Sequence, residues 1–340
     1  MYRIFRPLLF QLDPEQAHQL TLQLVRLVGM LPPLHRVVRS MYRVDEKPVQ
    51  VFGLRFRNPV GLAAGYDKDG VGWRGLACLG FGHIEIGTVT PLAQPGNERP
   101  RLFRLAEHAA LINRMGFPGK GADFVRRQLS GERAEGLVVG VNIGKNAATP
   151  LQDAVSDYIE LVRVFAPLAD YLAVNVSSPN TIGLRRLQAR VALSELLGAL
   201  DQQRRSIVPP AEPVIPLLVK LSPDLDDAEL DDAIDVLLDT AMDGVIVANT
   251  TVTRDGVGAG SRFVAESGGL SGAPLAEPST QLVRQVVRRS AERLPVIAVG
   301  GVMSADDARA KLDAGARLVQ LYTGLVYRGP GLVKQIVDGL

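Results

Sequence analysis

From residue 60 onward, short runs rich in Val, Ile and Ala alternate with amphipathic stretches of helical period. Eight runs read as strands: 60–64, 84–89, 137–142, 171–176, 216–221, 244–249, 296–300 and 318–322. Most are too continuously apolar for a strand with one wet face, so both faces should be covered, as parallel strands are in α/β architectures. Between them 151–166, 190–206, 226–241, 278–291 and 304–314 carry the helical period. Ser304 caps the last of these with Asp307 three residues on, and Gly315 ends it. Eight covered strands favour closure into a barrel. An open, doubly wound sheet is the competitor, but its polar residues would gather at one switch point. Here they follow nearly every strand, and no second domain or linker is visible in 50–340. The expected fold is α/β: a single eight-stranded parallel β/α (TIM) barrel over 44–340 with an N-terminal helical extension over 1–43.

Residues 1–43 follow another pattern. Asp13 is placed as an N-cap, Pro14 at the first helical position, and Gln16 where it can reach back. Ala17, Leu20, Leu24, Leu27, Val28 and Leu31 then fall on one helical face. Pro32-Pro33 breaks that helix, and Leu34 to Arg43 forms a second short amphipathic stretch. Six arginines (Arg3, Arg6, Arg26, Arg36, Arg39, Arg43) against Asp13 and Glu15 make the segment +4, while the rest of the chain is −2. A basic pair of apolar-faced helices suits an anionic membrane surface. A lid packed over one barrel end is the other reading, and the two are compatible.

Composition removes several classes of function. Basic and acidic residues nearly balance, 38 against 36, which gives no warrant for a nucleic-acid-binding surface. A single cysteine, Cys78, excludes an internal disulfide and a cysteine metal cluster, and four scattered histidines show no ligand spacing, so no metal is expected. No apolar run approaches the roughly eighteen residues of a membrane span, and the N-terminus lacks the features of a signal peptide. The protein is therefore expected in the cytoplasm or on a membrane surface.

In a β/α barrel the strand C-termini and the loops after them build the site. Those positions hold Gly65-Tyr66-Asp67-Lys68, Thr88, Asn142, Asn175 with Ser177, Ser178 and Asn180 behind it, Lys220, Asn249-Thr250-Thr251, Gly300-Gly301 and Tyr322-Thr323-Gly324. The set is rich in amides and lysine and poor in paired carboxylates, against metal-assisted hydrolysis and two-carboxylate glycoside chemistry. It suits a planar, carbonyl-rich ring: Asn donates and accepts at once, matching the edge of a pyrimidine or an isoalloxazine, and a lysine offsets charge on a reduced flavin. One strand-end Asn alone is accounted for by local backbone, but four at equivalent positions are not. The Gly300-Gly301 and Thr323-Gly324 turns sit where such barrels hold a phosphate against bare backbone N–H groups, and Gly272 adds another close approach. Each pair taken singly is explained by a turn that merely has to bend.

Six segments together resemble the dihydroorotate dehydrogenases: Asn58-Pro59 with Gly61 to Gly65 and Asp67 to Gly70; Glu85 to Pro91; Asn113 to Phe117; Asn142 to Asn146; Asn175 to Thr181; and Gly268 to Gly272. Each block is weak alone; all six in order, spanning essentially the whole chain, are specific. The resemblance implies oxidation of (S)-dihydroorotate to orotate in de novo pyrimidine biosynthesis, with one FMN per chain as hydride acceptor. The base falls on Ser178, which would take the C5 proton while C6 gives hydride to N5 of FMN on the opposite face. A serine there, rather than the cysteine of the soluble branch, marks the quinone-linked class 2 branch, as does the N-terminal extension. FMN contacts carry over to Ala64, Gly65, Tyr66, Asp67, Lys68, Thr88, Asn142, Asn175, Lys220, Ala248, Gly272, Gly301, Tyr322 and Thr323. Substrate contacts carry over to Lys68, Asn113, Arg114, Met115, Gly116, Phe117, Asn175, Asn180, Asn249 and Thr250, and a proton relay to Thr181 with water beside Phe117. Quinone-site residues fall on His18, Arg104 and Tyr322. The implied protein is a monomer peripheral to the cytoplasmic face of the cell membrane, partnered by dihydroorotate/orotate, a membrane quinone and the membrane surface. Three departures stand out: Ala248 for a threonine, Ile182 for a proline, and Pro118-Gly119 for a polar pair. Another FMN-dependent barrel acting on pyrimidines, and a non-enzymatic barrel using its helices as an interaction module, remain alternatives.

Overall fold

The computed structural model of the chain describes residues 2–131, 133, 136–209, 212–258, 261 and 263–340; Met1 and the side chain of Arg3 lie outside the described residues. Three helices come first, α1 (Tyr2–Gln11), α2 (Pro14–Met30) and α3 (Pro32–Met41). α2 starts as expected, because the Asp13 carboxylate accepts from the backbone N–H groups of Glu15 and Gln16, two donors that would otherwise have no partner. The Pro32-Pro33 pair ends α2 and also opens α3, two residues before the expected Leu34, since proline suits first-turn positions whose N–H is unused. Nothing in the pattern signals α1, which carries Pro7 within it.

A hairpin follows, β1 (Val49–Val51) and β2 (Leu54–Phe56). β3 (Val60–Leu62) and β4 (His83–Val89) begin the barrel, with α4 (Trp73–Leu76) between them; β5 (Leu102–Leu105) and β6 (Ala110–Asn113) then leave it as an antiparallel pair. After α5 (Ala122–Leu129) the chain returns through β7 (Val138–Ile143), α6 (Ala154–Phe165), β8 (Tyr171–Asn175), α7 (Arg190–Ser206), β9 (Leu217–Leu221), α8 (Asp227–Asp239) and β10 (Gly244–Val247). β11 (Gly269–Gly272) pairs antiparallel with β6, completing a three-stranded sheet outside the barrel. α9 (Ala276–Arg289), β12 (Val296–Val299), α10 (Ala305–Asp313), β13 (Leu318–Leu321), α11 (Thr323–Arg328) and α12 (Gly331–Gly339) finish the chain.

β3, β4, β7, β8, β9, β10, β12 and β13 close on one another in parallel, and every residue in them is buried. All eight expected strands are present. The strand period of two divides their side chains between two cores. Leu172 and Val174 join the strand–helix layer; Tyr171 and Ala173 fill the lumen with Leu218, Ile246, Ile297 and Leu318. Val51 and Phe56 of the hairpin join the lumen cluster, and Phe52 lies against Gly244 at the start of β10, so the hairpin plugs the N-terminal end. The opposite end carries the strand C-termini.

Of the α2 face read as Ala17, Leu20, Leu24, Leu27, Val28 and Leu31, the four leucines point to solvent, Val28 is half-buried and Ala17 is buried, while Leu22 and Val25 pack on the barrel. Packing is close there: a Cβ on Gly75 would meet the Val25 carbonyl oxygen at 1.9 Å. Among the described residues, twelve of seventeen large exposed apolar side chains lie between Ile4 and Met41, so the helices cover the barrel and still present an apolar outer surface.

Candidate active site

Seven of the eight strand ends line one cavity of about 1220 Å³ including its open mouth. The turn after β3 contributes Ala64, Gly65 and Lys68; the other strands contribute Thr88, Asn175, Ser178, Asn180, Lys220, Ala248, Asn249, Thr250, Gly300, Gly301, Gln320, Tyr322 and Thr323. Asn113 at the end of β6, with Met115, Gly116 and Phe117 just after it, roofs the cavity, and Glu15 and His18 reach it from α2. Ser271 and Gly272 close the far end.

The amide residues form one network. Asn142 donates to Glu85 at 2.8 Å and accepts from Thr88 at 2.5 Å; Asn175 donates to Thr88 at 2.9 Å and to Asn142 at 3.2 Å; Asn249 donates to Ser177 Oγ at 3.0 Å and to Asn175 at 3.3 Å. At its root lies Glu85, fully buried in the lumen. Gln320 and the Tyr171 hydroxyl donate to Glu85 at 2.9 and 3.1 Å, and Lys220 Nζ stands 3.8 Å from it. A buried carboxylate needs such partners, and holding them fixes the amides above it. The sequence reading gave Glu85 and Gln320 no role; the available signal was a lone acid inside an apolar strand. Gln320 Oε1 is buried with no partner among the described residues, an acceptor left open in a residue that lines the cavity.

At the far end two glycines are required. A Cβ on Gly301 (φ +70) would meet Ala276 N at 2.2 Å, and one on Gly272 (φ +108) would meet the Ala109 carbonyl oxygen at 2.4 Å. Bare backbone lines this end, with the Thr323 hydroxyl 2.8 Å from that of Ser271.

Ser178 is buried in the loop after β8, and its Oγ accepts from the Asn180 N–H at 3.2 Å. Asn180 donates to Asn113 Oδ1 at 3.1 Å, tying the loop to β6. No carboxylate or imidazole is bonded to Ser178 among the described residues. Three residues on, Thr181 Oγ1 is buried without a partner among the described residues. Ile182 is fully exposed, so that departure faces solvent. Lys68 donates to the Gly65 carbonyl at 2.5 Å, with no second acceptor among the described residues, and burial pulls its ammonium down to about 8 against the opposing charges of Asp69 and Glu15.

Not every expected residue meets the cavity. Asn142 stands one bond behind Thr88 and Asn175. Asp67 shapes the turn instead, accepting from the Val71 and Gly72 N–H groups at 2.9 and 2.7 Å, and burial raises it to about 6. Tyr66 lies between His18 and Tyr322, edge-on to each at 4.9 and 5.6 Å. Arg114 pairs with Glu266 at 2.5 Å and lies over Phe103. Thr181 is also off the lining. His18 and Tyr322 both face the cavity, but Arg104 does not: its guanidinium covers Phe10 at 4.2 Å and donates to the Phe10 carbonyl at 3.0 Å, holding α1. Burial and then the Lys68 charge push His18 down to about 3, so its imidazole is neutral. Glu15, which the sequence marks only as an acid in the first turn of α2, pairs with Arg101 at 2.8 Å and Arg99 at 3.0 Å and fastens α2 to the cavity rim.

A family model described as dihydroorotate dehydrogenase matches residues 47–340. The chain belongs to the dihydroorotate dehydrogenase family. It is 50% identical over 337 residues to the dihydroorotate dehydrogenase (quinone) of Halorhodospira halophila, covering 99% of this chain and 97% of that protein. The dihydroorotate dehydrogenase (quinone) of Idiomarina loihiensis is 46% identical over 343 residues, the whole of both chains. Among solved structures, dihydroorotate dehydrogenase from Eimeria tenella in complex with ferulenol superposes with a TM-score of 0.87 at 39% identity, covering 96% of this chain and 90% of that one. Those relatives match α1 to α3 as well as the barrel, since the alignments span nearly every residue.

Proposed function

We propose that this chain oxidises (S)-dihydroorotate to orotate in de novo pyrimidine biosynthesis, with FMN as hydride acceptor and a membrane quinone as final electron acceptor. One observation carries the reading: Ser178, Lys68 and the strand-end amides open onto a single cavity whose far end is bare glycine backbone. That cavity lies in a chain half-identical to a quinone-type relative.

The residues present fit FMN. The Gly272 and Gly301 backbone with Thr323 would take the phosphate, Lys220 and Thr88 the ring, and the open Gln320 Oε1 would accept a ring N–H. Bound there, the flavin supplies the hydride acceptor. The chain does the rest. Lys68 would hold the substrate carboxylate by a charge-assisted bond, and Asn113, Asn175, Asn180, Asn249 and Thr250 would read the carbonyl and N–H edge of its ring. Ser178 would take the C5 proton. A free hydroxyl is a weak base, so it needs an outlet; the buried Thr181 hydroxyl three residues on, unpartnered among the described residues, supports a relay through water beside Phe117. Met115, Gly116 and Phe117 close the roof, excluding bulk water. Arg114, Tyr66, Asp67 and Asn142 act one layer back, and Ala248 presents only a methyl group.

Residues 1–43 would serve quinone access, with His18 and Tyr322 at the cavity's helical end and Arg104 holding α1 across it. No helix among the described residues is long and apolar enough to cross a membrane. The outward Leu20–Leu24–Leu27 row and its flanking arginines support a peripheral seat on anionic lipid. We place the protein as a monomer on the cytoplasmic face of the cell membrane.

The test is a visible spectrum of the purified protein before and after anaerobic dihydroorotate. A flavin band that bleaches on addition is expected. A colourless protein that refuses FMN would favour an interaction module, and bleaching by another dihydropyrimidine alone would favour a different reductase.

A further inference from the structure

Lys311, on α10, is fully buried, and among the described residues no carboxylate comes within ion-pair range of its ammonium. It donates instead to three uncharged oxygens in the first turn of α9: Ser279 Oγ at 2.5 Å, Thr280 Oγ1 at 3.0 Å and the Ala276 carbonyl at 3.2 Å. Asp307 and Glu277 act on it only through space, and burial holds it down to about 8, so it is charged at neutral pH. A buried cation without a counter-ion is costly unless something compensates it.

The bonds beyond Lys311 lead to the glycine end of the cavity. The Ser279 hydroxyl, having accepted from Lys311, lies 2.6 Å from the Leu275 carbonyl and 3.1 Å from the Gly300 carbonyl. That carbonyl shares a peptide unit with the Gly301 N–H, and in a planar trans peptide the two point to opposite sides. Tied to α9 on its carbonyl side, the unit turns its N–H away from α9, and Gly300 and Gly301 both line the cavity. No acceptor among the described residues takes the Gly301 N–H. A spare donor aimed at the cavity and an uncompensated positive charge therefore lie on the two sides of one serine. A doubly negative group would satisfy both.

We propose that Lys311 is a positioning residue for the cofactor phosphate, acting through Ser279 and the Gly300–Gly301 peptide and through its own uncompensated charge. This rests on the reading that the cavity takes a phosphorylated flavin, and it assigns the preference for the phosphate to a residue that does not touch the cavity.

The experiment uses the full chain as purified. It is equilibrated with mixtures of FMN and riboflavin, freed of unbound flavin, and the bound flavins are separated and quantified. Wild type should hold FMN in strong preference. Lys311→Met should move the bound ratio about tenfold toward riboflavin, the scale of one charge-assisted contact. Ser279→Ala should move it the same way, and Lys311→Arg should keep the wild-type ratio. Loss of both flavins in proportion would mean that Lys311 only props α9, which overturns the proposal, as would an unchanged ratio. Should Lys311→Met fail to fold, the Ser279→Ala ratio decides by the same criterion. Wild type that takes riboflavin as readily as FMN overturns the phosphate reading itself and the proposal with it, a result distinct from variants that merely match a selective wild type.

Discussion

At the scale of single residues the chemistry turns on a hydroxyl with no strong partner. Among the described residues Ser178 Oγ accepts only the Asn180 N–H, so its basicity must come from where its proton goes next. Ser178→Ala should keep flavin and orotate binding and slow anaerobic flavin reduction at least about a hundredfold, the scale of losing a general base. A near-normal rate by rapid mixing would remove Ser178 from that role. Lys68 gives a second prediction. Burial lowers it to about 8, so the free protein carries the charge below that pH and loses it above. Orotate affinity should be flat below about pH 8 and weaken by up to about tenfold per unit above, as release of one proton requires. Titration of the flavin band with orotate across pH measures this; Lys68→Met should abolish the dependence, and a flat wild-type profile would refute it.

At the scale of elements, α2 does two things with two rows of one helix. Leu22, Val25 and the Glu15–Arg101 pair bind it to the barrel, while Leu20, Leu24 and Leu27 stay exposed. Burying a Leu side chain is worth about 1.5–3 kcal/mol, so leaving several exposed requires compensation, which a lipid surface would supply. Leu24→Glu combined with Leu27→Glu should leave anaerobic reduction by dihydroorotate within about twofold, since neither residue lines the cavity. The same pair should cut sedimentation with anionic vesicles at least about tenfold, because each charge must be kept out of the acyl layer. Unchanged vesicle binding would detach the outer row from the membrane. The β5–β6–β11 sheet adjoins α2 and roofs the same mouth, with Asn113 bonded to Asn180.

At the scale of the whole molecule, closure of the barrel carries a liability at its floor. His83, at the first position of β4, is wholly buried against Phe56 with both ring nitrogens unpartnered among the described residues. Burial pushes it from 6.5 down to about 3. The folded state therefore binds fewer protons than the unfolded state between those values, and stability is lost as pH falls through that window. The limiting slope is about 1.4 kcal/mol per pH unit. His83→Phe should flatten the denaturant midpoint against pH between about 6.5 and 3 relative to wild type. The difference between the two isolates His83 from Asp67, whose raised carboxyl acts with the opposite sign. Parallel curves would show that His83 does not titrate on unfolding.

How much of this was legible in the chain depends on the range of the interaction. Strand and helix periods are local, so all eight barrel strands and the helices from α6 to α10 were readable, as was the Asp13 cap. The strand-end amides and glycines were readable because a β/α barrel fixes where strand C-termini go before any contact is known. Closure of β5, β6 and β11 into a roof was not, since antiparallel pairing of Asn113 with Gly269 joins segments 156 residues apart. Nor was the centre of the amide network at Glu85, whose partners come from four other strands. Which row of α2 meets the barrel was likewise decided by packing, because two apolar rows compete and the close approach of Gly75 selects one. Sequence alone determined the architecture and the chemical vocabulary of the site; tertiary structure decided which groups touch the cavity and which stand behind it, because burial and hydrogen bonding are settled only when distant segments compete for the same space.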